Sequence, residues 1–114
     1  MSISVEISDL QAKTSEYGWA YLLTVGDAAP AHVVAITPVW DGSALTMLVG
    51  ERTAANVVAR PTVTLCYPPS DGGYSLIIDG EASVEPVATD GRDRHRVSLT
   101  PSAATLHRPA PPAG

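Results

Sequence analysis

The chain of 114 residues has no phenylalanine, two tryptophans and four tyrosines, so its core must be built from Val, Leu, Ile and Ala. A valine-rich aliphatic core favours strands over helices. The single cysteine, Cys66, excludes an internal disulfide and any cysteine metal cluster. Basic residues are also few: seven Lys and Arg stand against twelve Asp and Glu, a net charge of -5. A chain of that balance has no basic face for phosphate backbones, which argues against nucleic acid as a partner. No run reaches the roughly 18 apolar residues of a membrane-spanning helix, and no apolar signal region follows Met1; no membrane association and a cytoplasmic location are therefore expected. Walker loops, paired GxGxxG motifs and GxSxG elbows are missing. His32, His95 and His107 have no ligand-type spacing, so neither a metal site nor a catalytic side chain is expected.

What is present fits one domain, residues 1–114. Residues 1–17 read as a loose N-terminal segment, or, within 4–16, as a short helix capped by Ser8 or Asp9. From Trp19 onward, short apolar and β-branched runs alternate with turn residues, the pattern of an antiparallel barrel or sandwich. Strands are expected over Trp19–Val25, His32–Trp40, Ala44–Val49, Thr62–Tyr67, Tyr74–Val87 and Arg94–Leu99, the last broken at Pro101 and continuing from Ala104 to His107. Asp41-Gly42 marks a hairpin. Pro38 lacks an N–H, so that end of its run should be an edge, a bulge or a ligand-facing break. Gly80 marks a bend or bulge. The tail from Arg108, "RPAPPAG", should be extended and exposed.

Two charged stretches stand out. Arg92, Arg94, His95 and Arg96, interleaved with Asp90 and Asp93, read as a solvated turn and strand start. The segment "GERTAANVVARPTVTLCYPP" places a helix over Glu51–Ala59, with Ala54, Val57 and Val58 on one face and Pro61 as the stop. Its free N-terminal N–H groups, with Arg52 and Thr53 in the first turn and Asn56 four residues after Arg52, suit an anion such as a phosphate. A capped surface helix with a solvated Arg52 fits the same residues. Cys66, mid-strand among threonines, reads as a buried, unreactive thiol.

The order of these pieces resembles the pyridoxamine 5'-phosphate oxidase-like family, the FMN-binding split β-barrels. The matching positions are Pro30, His32 to Val34, Val39 to Gly42, Arg52, Thr53, Asn56, Pro61, Val63, Leu65, Gly80, Ala82 and Val84, within a stretch from about Gly18 to Val87. "HRVSLTPSAATLHRP" resembles the closing strand. The resemblance implies a mainly β, six-stranded antiparallel split barrel with one or two short helices, paired as a homodimer with a flavin at the interface. Val34, Ala35, Ile36 and Thr37 would face the flavin ring, while Arg52, Thr53 and Asn56 would meet its phosphate and ribityl end. The cofactor would be FMN or, in the branch common in high-GC actinobacteria, coenzyme F420. The function implied is a flavin- or deazaflavin-dependent oxidoreductase acting on a small molecule; a non-catalytic flavin- or haem-binding dimeric module is the alternative. Ala31-His32 and Arg52-Thr53 stand where pyridoxamine-phosphate oxidases carry basic residues, and the chain stops soon after Arg108. Both departures argue against oxidation of pyridoxamine phosphate itself.

Overall fold

A computed structural model of the chain describes residues 1–27, 30–69, 73–88 and 95–113. Its elements are β1 (Ser2–Val5), a 3-10 turn (Ile7–Asp9), α1 (Leu10–Thr14), β2 (Ala20–Thr24), β3 (His32–Ile36), β4 (Val39–Asp41), β5 (Ala44–Val49), α2 (Glu51–Ala59), β6 (Thr62–Tyr67), β7 (Ser75–Pro86) and β8 (His95–His107). The strands form one antiparallel sheet in the order β3-β2-β6-β7-β8-β5-β4, with β1 added against β8. The two ends of that path, β3 and β4, are neighbours in the chain, separated only by Thr37 and Pro38. A sheet whose ends are tethered so closely must curl, and the result is a half-barrel open along one seam.

Period-two patterning explains which side faces in. Leu22, Leu45, Leu65, Leu76, Ile78, Val97 and Leu99 are fully buried, and each buried aliphatic side chain contributes about 1.5–3 kcal/mol. The opposite face of β6 carries hydroxyls that bond to carboxylates on β7. Thr62 Oγ1 donates to Glu81 Oε1, and Thr64 Oγ1 donates to Asp79 Oδ1, both at 2.6 Å. Leu10 of α1 closes the core at one end. Thr14 on the same helix accepts a bond from Trp40 Nε1 at 2.8 Å and donates one to Gln11 O at 2.9 Å.

The mainly β architecture and the Pro38 break are as the sequence predicts, whereas four details differ. Ser2–Val5, within the segment read as loose, pairs residue by residue with Ala104–His107. The His32–Trp40 run is split in two by Thr37-Pro38, and with β1 this raises the strand count from six to eight among the described residues. Pro101 does not break the last strand. It lies opposite Gly80 at a register shift in which Ser102 is the extra residue, and a bulge needs no proline N–H. Val58 is 73% exposed, so α2 buries Thr53, Ala54 and Val57 instead. Arg92, Arg94, Asp90 and Asp93 lie outside the described residues.

Gly80 is held against its neighbours. A Cβ there would press on the Thr100 carbonyl oxygen and come within 2.9 Å of Leu99 Cδ2. Gly80→Ala should therefore destabilise the fold by about 1–3 kcal/mol in urea unfolding. Gly18→Ala, whose Cβ would meet nothing within 4 Å, should stay within about 0.5 kcal/mol of the parent. Burial also pushes the phenol of Tyr67 up to about 12 from its ordinary 10.0. Between those values the unfolded chain loses the proton and the folded one keeps it, so stability falls as pH rises through that window. Tyr67→Phe should remove that part of the alkaline loss, as read by unfolding midpoints from pH 9 to 12.

Candidate functional site

The open seam carries a groove. β3 pairs with β2 alone, and β4 covers β5 only as far as Thr46, its partner being Val39. Beyond that point β5 continues through Met47 and Leu48 with β8 on its other side. Two strand edges without ladder partners among the described residues therefore face each other. Between them lies an open groove of about 520 Å³, walled by Ala35, Ile36, Thr37 and Val39 on one side and Thr46, Met47, Leu48 and Arg96 on the other. Five of the eight lining residues are apolar, but polar atoms make up nearly half of the wall; Thr46 Oγ1 is turned to the Val39 carbonyl, to which it donates at 3.1 Å. Arg96 is the groove's one charged residue among those described. It is the register partner of both Leu48 and Glu85, and its Nη1 bonds to Glu85 Oε1 at 3.0 Å.

Three of the residues assigned to the flavin ring, Ala35, Ile36 and Thr37, line this groove, with Ile36 also packed against the core. Val34 does not line it: the groove begins at Ala35, and Val34 packs against the core opposite Leu22. The residues assigned to the phosphate lie on α2, which starts three positions past Leu48. Arg52 is exposed in its first turn. Gly50 is the N-cap, in extended conformation and with no side-chain cap bond, which leaves the first N–H groups without a side-chain partner. Thr53 is buried at 3% exposure. Asn56 is half-buried; its Nδ2 donates to Thr24 Oγ1 at 3.1 Å, and its Oδ1 packs so closely on Gly26 that a Cβ could not fit there. Arg52 alone of the three is free to reach outward, while Thr53 and Asn56 fasten α2 to the sheet.

Arg96, Met47 and Leu48 carry no sequence signal for the groove. Arg96 sits in a mixed charge run, and only the β5–β8 pairing brings it beside Leu48. On the far side of the β3–β4 connection, Pro38 and Trp40 line a second hollow of about 350 Å³ beneath α1, together with Gln11, Thr14, Tyr17 and Tyr67. Its polar atoms are largely engaged, since Tyr17 donates to the Tyr74 carbonyl at 2.8 Å and Trp40 to Thr14. Cys66 is half-buried, and burial pushes its thiol up from the ordinary value, which suits an unreactive thiol. None of the described helices is long and apolar enough to cross a membrane.

No family model matches the chain. Two uncharacterized mycobacterial proteins, from Mycobacterium bovis and Mycobacterium tuberculosis, are each 40% identical over 119 residues, covering 95% of this chain and 83% of theirs. Among solved structures, a protein of Listeria innocua named for pyridoxamine 5'-phosphate oxidase superposes with a TM-score of 0.70 at 18% identity, covering 88% of this chain and 96% of its own. The chain belongs to one family with the mycobacterial proteins, and its fold is the pyridoxamine 5'-phosphate oxidase-like split barrel. An F420 reductase shares this split-barrel fold with a TM-score of 0.64 at 20% identity, over 76% of this chain and 88% of the reductase. So does HutZ, the haem storage protein of Vibrio cholerae, with a TM-score of 0.66 at 15% identity, over 86% and 91% of the two chains. At these identities the correspondence is one of fold.

The link between α2 and the barrel gives a test of the site's scaffold. Asn56→Ala removes the bond to Thr24 and leaves a buried hydroxyl without its donor, which should cost about 1–3 kcal/mol in thermal or urea unfolding.

Proposed function

We propose that this split barrel binds a flavin between two copies of the chain and works as an FMN- or F420-dependent oxidoreductase on a small molecule. The observation that carries the proposal is the seam groove, whose strand-edge walls offer backbone donors and acceptors to a flat, hydrogen-bonding ring. Its size suits such a ring, and its apolar side chains suit the ring faces. When bound, the flavin supplies the redox chemistry; the protein's part is placement. Ala35, Ile36 and Thr37 would hold the ring edge largely through their backbone. Val34 would support that strand from the core side. Arg52 and the first N–H groups of α2 would meet the phosphate, with Thr53 and Asn56 fixing the helix that presents them. The resemblance to an F420 reductase supports the deazaflavin as well as FMN.

A homodimer fits the exposed side chains. Tyr21, Val33, Val39 and Leu48 are 40–60% exposed on and beside the seam, and a second copy would remove that apolar surface from water. A second reading, a non-catalytic flavin- or haem-binding module, is favoured by the haem storage protein that shares the fold. It is also favoured by the groove's lining, in which Arg96 is the one ionisable residue among those described.

The test is titration of the purified protein with FMN, F420 and haem, followed by absorbance and thermal shift. A perturbed flavin spectrum is expected with FMN or F420, and Arg52→Ala should weaken that binding by about 1.5–3 kcal/mol. Binding of haem alone would favour the storage-type reading, and no response to any of the three would sink the cofactor proposal.

A further inference from the structure

Among the described residues Arg96 is the one charged group of the seam groove, and it stands on the outward face of β8 in one row with Leu48 of β5 and Glu85 of β7. The guanidinium already holds a carboxylate, that of Glu85, at 3.0 Å. With side chains 44% and 59% exposed, this pair contributes little to stability, so a ligand can compete for the arginine cheaply. We infer that Arg96 is a specificity-determining residue of the groove, selecting planar substrates that carry a carboxylate, with Glu85 as the internal group such a substrate displaces. The inference rests on the reading of the seam as a substrate and cofactor groove, and adds to it the class of substrate.

Three features favour a carboxylate over a phosphate at this position. A guanidinium presents a planar fork that can hold two oxygens of one anion with parallel bonds, and the carboxylate of Glu85 already occupies it here. Phosphate sites usually gather several donors or a helix N-terminus, whereas the other groove side chains are Thr37, Thr46 and apolar groups. The net charge of -5 also disfavours a doubly charged ligand more than a singly charged one. The body of the ligand would lie against Ile36, Val39 and Leu48, which gives an aromatic or conjugated acid something to pack on.

The experiment compares cinnamate with cinnamamide, equal in shape and different in charge, on the full chain with and without FMN. Affinities are taken by NMR titration, including the side-chain Nε–H signal of Arg96, which is identified by its loss in Arg96→Gln. Cinnamate should bind about tenfold more tightly than the amide, and Arg96→Gln should bring the two together without lowering the melting temperature. Arg96→Lys should restore part of the preference, and Glu85→Gln should raise cinnamate affinity about two- to fivefold. Equal binding of acid and amide, absence of binding by both, or an unchanged preference in Arg96→Gln would overturn the inference. Phenyl phosphate binding far more tightly than cinnamate would also overturn it, by showing a phosphate subsite. Failure of the cofactor proposal is read separately, in the flavin titration, because the cinnamate comparison is made without flavin as well.

Discussion

Thr37 and Pro38 join the first and last strands of the seven-strand path, and this two-residue tether governs the shape of the molecule. Proline has no N–H to give to a ladder, and its ring restricts the residue before it to extended conformations. The chain can therefore leave β2 at Ile36 and join β5 at Val39 without turning back on itself. Because both ends of the sheet are pinned at one point, the sheet closes on one side of that point and stays parted on the other. The groove lies along the parted side, with Thr37 and Val39 on its wall. Pro38 and Trp40 point the other way, under α1. Alternation along four residues thus separates the open seam from the packed hollow beneath the helix.

The long strands β7 and β8 make the curl possible. β8 changes partners along its length: His95–Leu99 pair with β5, and Ala104–His107 pair with β1. The change falls at Pro101 and Ser102, where the register against β7 slips by one residue opposite Gly80. A bulge increases local twist and bends its strand. Gly80 lets the two backbones approach there, and Ser102 Oγ donates to the Asp79 carbonyl at 3.2 Å. The bend that divides β8 between two partners also sets Arg96 in the row with Leu48 and Glu85. The placement of the groove's cation is a consequence of the same geometry that shapes the barrel.

Much of this was legible in the chain. The alternation in "TVTLCY" fixed which side of β6 faces the core, the proline in "ITPVWDG" marked the break, and Pro61 ended α2 where expected. Of the residues that the resemblance assigned to a flavin ring, Ala35, Ile36 and Thr37 border the seam groove, and Arg52, assigned to its phosphate, is exposed on α2. Other positions were less legible, for physical reasons. Val58 has the spacing of a buried helical position, but α2 lies so that its contact with the sheet falls on Thr53, Ala54 and Val57, turning Val58 outward. The spacing of Asn56 after Arg52 does not show its bond to Thr24, 32 residues away. Arg96 is exposed at a strand start, as its run of mixed charge suggests, but only the β5–β8 pairing shows that it also borders the groove.

The sequence by itself determined the class: strands from period-two alternation of aliphatic residues, turns from Gly, Pro and Asp, one helix from its own stop signal, and a net negative charge. These are local properties, decided by side-chain sterics and by spacing within a few residues. Only the tertiary structure decided which strand edges stay open, which of the polar residues on α2 are used up in holding it down, and which arginine stands in the groove. Each of those depends on pairings between positions tens of residues apart, and neither propensity nor spacing encodes a register.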